Sequence, residues 1–139
     1  MQTTCGVLIT DGANLLICHP TNSVKWDIPK GKQDEGEDDI TTACRELWEE
    51  TGLHINADAM IYLGVWPYKP GKQLSLFVHY VATMPNPNNL ICHSYFETRE
   101  GKKLPEMNAY RIVTFAEAMF MLNTDMCRIV KQLFDGFSA

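Results

Sequence analysis

Apolar residues along the chain fall into runs of strand length that are separated by turn residues. A β-hairpin is predicted where two such runs, CGVLIT and LLICH, flank the turn DGAN. A second strand-turn-strand unit is predicted where AMIYLGVWPY and QLSLFVHYVATM flank KPGK, and NAYRIVTF predicts one more strand. The helical spacing of FAEAMFML and DMCRIVKQLF predicts helices that cover a sheet. These elements favour the α/β class, with a mixed β-sheet packed between helical layers.

The strongest periodicity predicts a helix over residues 38–51. At about 100° per residue, one stripe of this helix is apolar and consists of Ile40, Ala43, Cys44 and Leu47. The adjoining arc carries three carboxylates, Glu46, Glu49 and Glu50. Gly52 follows as a C-terminal cap. One side of the helix is therefore suited to packing, and the neighbouring side holds concentrated negative charge.

The three glutamates contradict the electrostatic preference of a helix. Negative charge is unfavourable near a helix C-terminus, because the last carbonyl groups carry partial negative charge. Carboxylates three and four residues apart also repel one another by roughly a few tenths of a kcal/mol per pair. A divalent cation bound by the carboxylate oxygens would remove this repulsion, so the arrangement is a candidate metal site. If the E-x-x-E-E pattern were the only feature present, the alternative interpretation would be favoured, namely an acidic face that is exposed to solvent.

Other parts of the chain are rich in turn residues. VKWDIP predicts a short strand that leads to KGKQDEGE, where Pro29 and Gly31 are expected to exclude regular structure. Residues 85–105 are polar and turn-rich, and ICHSYF could form one short strand. The sequence contains no repeat, low-complexity tract or clear linker, so residues 1–139 are expected to form a single domain.

Composition is typical of an ordinary soluble globular protein, with 45% hydrophobic and 21% charged residues among 139. The net charge of −5 argues against a general nucleic-acid binder but leaves room for a local basic site that binds phosphates. Five cysteines without a C-x-x-C pair indicate reduced thiols rather than disulfides or a zinc site. The N-terminus does not resemble a signal peptide, and no apolar run is long enough to span a membrane. We therefore expect a cytoplasmic protein without membrane partners.

Nine residues complete a more specific pattern around the three glutamates. The pattern is G-x5-E-x7-R-E-U-x-E-E-x-G-U, where U is a bulky aliphatic residue, and it is filled by Gly31, Glu37, Arg45, Glu46, Leu47, Glu49, Glu50, Gly52 and Leu53. Through this Nudix box the chain resembles the Nudix hydrolase family. The resemblance implies an α/β/α sandwich with a mixed β-sheet, and hydrolysis of a nucleoside diphosphate linked to another group.

The resemblance also implies roles for individual residues of the box. The metal ligands that it implies are Gly31, through its carbonyl, and Glu46, Glu49 and Glu50. Mg²⁺ and Mn²⁺ both suit such oxygen ligands, so the ion could be either. Arg45 would orient the glutamates through charge-assisted hydrogen bonds, and Glu37 would hold the preceding loop against the helix. The box alone does not decide which carboxylate acts as the general base.

Two segments resemble the asymmetric diadenosine tetraphosphate hydrolases of the animal and archaeal type. The first is PKGK with the following GEDD, and messenger RNA decapping enzymes have a similar PKGK. Lys30 and Lys32 would place positive charge beside the polyphosphate. The second is EMNAYRIVTFAEA, which resembles the segment that carries a further metal-binding or catalytic glutamate, here Glu106. Ile112 departs from this pattern, because those hydrolases have tryptophan at that position.

The substrate expected from these features is a small-molecule nucleotide, in particular a dinucleoside polyphosphate. Tyr68 and Phe134 could stack on its base, since aromatic faces hold bases without an exact hydrogen-bond partner, or they could belong to the core. Alternative substrates are ADP-ribose, nucleotide sugars, RNA 5′ ends and diphosphoinositol phosphates. The last two would favour broader basic surfaces than this acidic chain offers.

Two readings outside catalysis explain fewer residues. A Nudix-fold module that binds nucleotides without turnover would typically lack the helix glutamates, and all of them are present here. A small interaction protein with an acidic helix face would not explain the spacing of Gly31, Glu37 and Arg45. The sequence leaves the oligomeric state open.

Overall fold

The computed structural model describes the backbone of residues 1–138 and the side chains of residues 1–135. Its strands are β1 (Gln2–Thr10), β2 (Asn14–Pro20), β3 (Lys30–Lys32), β4 (Ile61–Pro67), β5 (Lys72–Tyr80), β6 (Tyr95–Glu97), β7 (Lys103–Pro105) and β8 (Met107–Thr114). Its helices are α1 (Asp39–Thr51), α2 (Phe115–Met121) and α3 (Thr124–Ser138), with 3₁₀ turns at Ala57–Ala59 and Pro87–Asn89. The predicted strand-turn-strand units, the strand in NAYRIVTF and the three helices are confirmed. None of the helices in this part of the chain is long and apolar enough to cross a membrane.

The main sheet is mixed, as predicted. Five strands lie in the order β4-β5-β1-β2-β8, and β3 pairs with β1. β1 and β5 are parallel, with Gln2 opposite Lys72 and Thr10 opposite Tyr80. The other neighbouring strands are antiparallel. A parallel pair needs a long crossover connection, and here this connection includes α1, which packs across β1 and β5.

Alternating side chains of the central strands form two apolar cores, one on each face of the sheet. Val7 and Ile9 of β1 pack with Ala43 and Leu47 of α1. Leu8 points to the opposite face, where it packs in a core that includes residues of α2 and α3. The chain is therefore an α/β/α sandwich with a mixed sheet, which confirms the predicted fold class.

Residues that the sequence provides cap both ends of α1. Asp38 is the N-cap, and its side chain accepts a hydrogen bond from the backbone N–H of Thr41 at 3.0 Å. Gly52 has a left-handed φ of 77°, and its N–H donates to the Trp48 carbonyl at 2.8 Å. The predicted helix over residues 38–51 is therefore confirmed.

The segment after β5 closes the remaining carbonyl groups at the C-terminal end of α1. The carbonyls and their donors are Glu49 with the N–H of His93 (2.6 Å), Glu50 with the hydroxyl of Tyr110 (2.5 Å) and Thr51 with the N–H of Ile91 (3.0 Å). The imidazole of His93 also stacks on Trp48, with ring centroids 4.4 Å apart and planes inclined by 5°. These contacts tie the turn-rich segment and β8 to the helix that carries the glutamates, and no sequence pattern predicts them.

The predicted strand in VKWDIP is wrong. Trp26 and Asp27 form only isolated bridges, which pair them with Leu122 and Cys18. The backbone of Asp27 exchanges two hydrogen bonds with Cys18, at 2.7 and 2.8 Å. The backbone of this segment therefore anchors a loop to β2 and to the end of α2, and the segment does not continue as a strand.

The expectation that Pro29 and Gly31 exclude regular structure is also wrong, because Lys30–Lys32 forms β3. Pro29 has no N–H, but it lies just before the strand, and its carbonyl accepts a hydrogen bond from the N–H of Val7 at 3.1 Å. Gly31 lies opposite Cys5 of β1. Pairing with β1 therefore overrides the local preference of these two residues.

Residues 95–105 form a hairpin that is separate from the main sheet. ICHSYF overlaps β6 only at its end, and β7 was not expected. Tyr95 lies opposite Pro105, and Glu97 lies opposite Lys103. At the turn, Gly101 has φ of 79° and donates its N–H to the Thr98 carbonyl at 2.9 Å. The β6–β7 hairpin is thus a short, closed unit within residues 85–105.

Candidate active site

Two of the three box glutamates of α1, Glu46 and Glu50, contact the strand β3. Glu46 and Glu50 are 8% and 3% exposed, whereas Glu49 is partly exposed. The backbone of Gly31 passes directly against Glu46, because a Cβ built at Gly31 would overlap the carboxyl carbon and both oxygens of Glu46. The structure therefore brings together the four residues predicted as metal ligands within the box, and it explains why position 31 is glycine.

Arg45 is the centre of the carboxylate network. Its Nε and Nη2 atoms donate to the two oxygens of Glu37 at 2.8 and 2.9 Å. Its Nη1 atom donates to Glu46 at 2.8 Å and to both oxygens of Glu49 at 3.2 Å. Nη2 also donates to the Lys32 carbonyl at 3.1 Å, which links the network to β3. These contacts agree with the expected orienting role of Arg45.

Glu37 joins the loop before α1 to the helix. One of its oxygens accepts hydrogen bonds from the N–H of Asp34 and from the hydroxyl of Thr42, each at 3.0 Å. The hydrogen bond from Arg45 lowers the pKa of Glu37 to about 2, so this carboxylate stays ionised. The contacts agree with the expected role of Glu37 in holding the loop.

Glu46 and Glu50 are buried, and burial disfavours their ionised form unless a cation lies close to them. Desolvation, together with the negative charge of Glu49, raises the pKa of Glu46 to about 7. Desolvation also raises the pKa of Glu50 well above its usual range, against a hydrogen bond at 3.0 Å from the N–H of Lys30. A divalent cation would favour the ionised form of both groups.

A fourth carboxylate, Glu106, lines the same groove as the box residues. The groove measures about 400 Å³, and its lining includes Asp27, Lys30, Gly31 and Glu50. Main-chain hydrogen bonds hold Glu106 in place: its N–H donates to Ser94 and its carbonyl accepts from Thr21, both at 2.9 Å. After the effect of burial, the charge of Glu106 adds to the raised pKa of Glu46 and of Glu50. The structure therefore places Glu106 beside the box glutamates, as expected from the sequence.

The donor set fits a hard divalent cation. All the candidate ligands supply oxygen, which Mg²⁺ and Mn²⁺ prefer. Within residues 1–135, no three acidic, histidine or cysteine side chains converge closely enough to enclose an ion. Arg45 engages Glu46 and Glu49, and the Lys30 N–H engages Glu50. Cation binding would therefore require some of these oxygens to exchange their present partners.

The two lysines predicted to contact phosphate differ in position. Lys30 lines the groove, and its ammonium group pairs with the carboxylate of Asp27 at 3.1 Å. Burial opposes the charge of Lys30, but the combined effect of Asp27, Tyr68 and Glu50 outweighs it and raises the pKa of this lysine. Lys32 is exposed and is not among the residues that line the groove. Lys30 is therefore the better placed of the two to meet a phosphate.

Tyr68 requires a correction, because its side chain belongs to the core. Tyr68 is 7% exposed and packs in the core that faces α2 and α3. The ammonium groups of Lys30 and Lys69 lie 5.7 and 5.0 Å from the ring centroid. Burial of the ring overrides the stacking role considered for it. The aromatic ring of Phe134 stacks on Phe115 at 5.1 Å.

Sequence reasoning missed four residues that line the groove, among them Asp27 and Phe96; the others are Pro20 and Met107. Asp27 is a buried carboxylate, 5% exposed, and the only sign of it was its place two residues before the PKGK segment. Phe96 comes from β6, in a segment without a recognisable pattern. Both residues reach the groove through tertiary packing, which local patterns do not report.

A profile of the NUDIX domain matches residues 1–133. The chain therefore belongs to the Nudix family, and it is a hydrolase of the kind that cleaves pyrophosphate bonds. Enzymes of this family generally use divalent metal ions such as Mg²⁺.

Three similar proteins illustrate the range of the relationship. An uncharacterized 17.7 kDa protein of Enterobacteria phage T4 is 31% identical over 92% of this chain and 91% of its own length. An RNA pyrophosphohydrolase of Rhizobium meliloti is 61% identical over 28 residues, which cover 20% of this chain and 17% of that protein. The crystal structure of a C. elegans Ap4A hydrolase binary complex aligns with a TM-score of 0.67 and 18% identity, covering 99% of this chain and 98% of that one. The last similarity supports the fold alone.

We expect the metal-free protein to lose stability as the pH rises from about 5 to about 7, because folded Glu46 titrates near 7 and unfolded Glu46 near 4.3. The folded state binds more protons in this window, so each fully titrating group lowers the free energy of unfolding by about 1.4 kcal/mol per pH unit. Glu50 acts in the same direction. Thermal unfolding at several pH values should show this fall, and it should be smaller in Glu46→Gln. Mg²⁺ should stabilise the protein more at the alkaline end. If stability fell with pH by the same amount in the wild type and in Glu46→Gln, the assignment would be contradicted.

Proposed function

We propose that this protein hydrolyses dinucleoside polyphosphates, with diadenosine tetraphosphate giving ATP and AMP, as a single domain acting in the cytoplasm. The observation that carries the proposal is the position of Glu106, which shares one groove with Glu50, Gly31 and Lys30. The sequence around Glu106 resembles the asymmetric diadenosine tetraphosphate hydrolases, and so does PKGK. The fold similarity to the C. elegans Ap4A hydrolase over almost the whole chain is consistent with this substrate.

The proposed catalytic set consists of Arg45, Glu46, Glu49, Glu50 and Glu106, with Gly31 and the four glutamates as metal ligands. A bound Mg²⁺ or Mn²⁺ would neutralise phosphate oxygens and acidify a water molecule. Arg45 orients Glu46 and Glu49, because its Nη1 atom donates hydrogen bonds to both carboxylates. Lys30 places a positive charge on the groove wall beside the polyphosphate, and Lys32 contributes charge nearby at the exposed edge of β3.

The reaction that this set supports is attack of water on phosphorus. A bond forms between the water oxygen and phosphorus, and the bond from phosphorus to the bridging oxygen breaks. The proton of the water must pass to a carboxylate. The candidates for this base are Glu46, Glu49 and Glu50 of the box, and Glu106 between β7 and β8.

RNA 5′ ends are the second candidate substrate, because a short stretch of the chain is 61% identical to an RNA pyrophosphohydrolase. The net charge of −5 is unfavourable for binding a long RNA but does not prevent recognition of a 5′ end. ADP-ribose and nucleotide sugars are further alternatives, since they contain the same diphosphate linkage.

The test is incubation of the purified protein with Mg²⁺ and a panel of possible substrates. The panel contains diadenosine tetraphosphate, ADP-ribose, nucleotide sugars, nucleoside triphosphates, capped RNA and 5′-triphosphorylated RNA, and the products are separated by chromatography. We expect diadenosine tetraphosphate to be cleaved fastest, with ATP and AMP in equal amounts. Faster cleavage of another member would leave the Nudix chemistry in place and overturn the substrate assignment. Binding of nucleotide without cleavage of any member would favour a non-catalytic module.

A further inference from the structure

The β6–β7 hairpin borders the carboxylate groove, whose lining includes Glu50 and Glu106. Phe96 of β6 lines this groove together with Glu50 and Glu106. The same residue also lines an adjoining cavity along the hairpin, together with Tyr95 and Lys103. The aromatic ring therefore lies where the carboxylate groove continues into the hairpin.

Packing does not account for the position of Phe96. The residue is partly buried, yet it is absent from the three apolar clusters formed by residues 1–135. Its neighbours in the groove include charged groups, and contact with an apolar ring does not stabilise such charges. An aromatic face at such a place suits a planar ligand, because bases stack on aromatic rings without requiring an exact hydrogen-bond partner.

Hydrogen bonds to main-chain carbonyls at the base of the hairpin hold it relative to the glutamates. The N–H of Glu106 donates to the Ser94 carbonyl at 2.9 Å, and the Thr21 hydroxyl donates to the Pro105 carbonyl at 2.6 Å. Just before β6, the N–H of His93 donates to the Glu49 carbonyl at 2.6 Å. These hydrogen bonds hold the backbone that carries Phe96 at the edge of the carboxylate groove.

We propose that Phe96 stacks on the nucleobase of the nucleotide whose phosphate lies at the glutamates, which makes it a specificity-determining residue. The inference rests on the proposed function in requiring a nucleotide in the groove. Tyr68 is buried, so Phe96 takes the role that the sequence suggested for that tyrosine. Because stacking tolerates different bases, Phe96 distinguishes base-bearing from base-free phosphates and does not select adenine over other bases.

Two ligands that differ only in the base test this proposal. AMP and ribose 5-phosphate carry the same sugar phosphate, and neither contains the anhydride bond that a Nudix hydrolase cleaves. Their dissociation constants are measured by calorimetry in the presence of Mg²⁺. We expect the wild-type protein to bind AMP more tightly. In Phe96→Leu, AMP should bind about tenfold more weakly, while ribose 5-phosphate should bind as before.

Two further variants control this measurement. Phe96→Tyr keeps the aromatic ring and should retain the preference for AMP. Phe120→Leu removes a ring that is 83% exposed on α2, and it should change neither affinity. The ratio of the two affinities does not depend on the folded fraction of a variant.

Equal affinities of the wild-type protein for the two ligands would overturn the role of Phe96. Equal loss of both ligands in Phe96→Leu, or loss of neither, would also overturn it. Each of these results is compatible with cleavage of diadenosine tetraphosphate, so the two proposals can fail separately.

Discussion

Glu50→Gln is expected to lower kcat by a factor of about 10³ while leaving the fold intact or more stable. Glu50 is 3% exposed, so its charge is expensive to bury when no cation is bound. The amide of glutamine has nearly the same shape and keeps an oxygen that can accept the N–H of Lys30, now at 3.0 Å. Activity and stability should therefore change in opposite directions.

The matched variants make this result specific. Glu49→Gln should also reduce kcat strongly, although Glu49 is partly exposed and should change stability less than Glu50. Glu35→Gln is the control, because Glu35 is an exposed carboxylate in the loop before α1. Turnover is measured with excess Mg²⁺, and unfolding is measured without metal. Near wild-type turnover in both Glu49→Gln and Glu50→Gln would refute the proposed site.

Gly31→Ala is expected to reduce kcat/KM by a factor of about 10², with a smaller loss of stability. The added Cβ would occupy the space of the Glu46 carboxyl group, which would have to move. Arg45 donates to this carboxyl group at 2.8 Å, so the displacement would also disturb its contact with Glu49. The methyl group added at β3 would therefore displace the carboxylates of Glu46 and Glu49 without changing their chemical nature.

A double-mutant cycle separates this steric effect from other consequences of the substitution. Gly31→Ala should lower the Tm in the wild-type background but not in the background of Glu46→Ala, where the obstructing side chain is absent. Activity should stay low in the double variant, because Glu46 is missing. If Gly31→Ala lowered the Tm equally in both backgrounds, the clash with Glu46 would not be its cause.

The parts of the fold that the sequence predicts are those governed by local patterns. The helix over residues 38–51 combines an apolar stripe, an acidic N-cap and a capping glycine, and each contributes independently. The hairpin around Asp11 and Gly12 follows from turn chemistry between two apolar runs. In both cases the residues that decide the structure are neighbours in sequence.

The missed features depend on contacts between distant residues. β3 exists because Lys30–Lys32 meets β1, and no local preference of Pro29 or Gly31 reports that partner. The burial of Tyr68 and the position of Phe96 in the groove likewise depend on packing between elements far apart in the chain. The box residues were recognisable because their spacing is specific.

We expect the carboxylate groove to form late in folding, because the parallel pairing of β1 with β5 joins distant parts of the chain. Gln2 pairs opposite Lys72 and Thr10 opposite Tyr80, so β1 obtains this neighbour only after most of the intervening chain is available. Closing so long a loop costs conformational entropy before the contacts compensate for it. The nine box residues lie within one short stretch, yet α1 rests on both β1 and β5. A nascent chain that ends just after the box therefore lacks β5 and Glu106, so it cannot form the carboxylate groove.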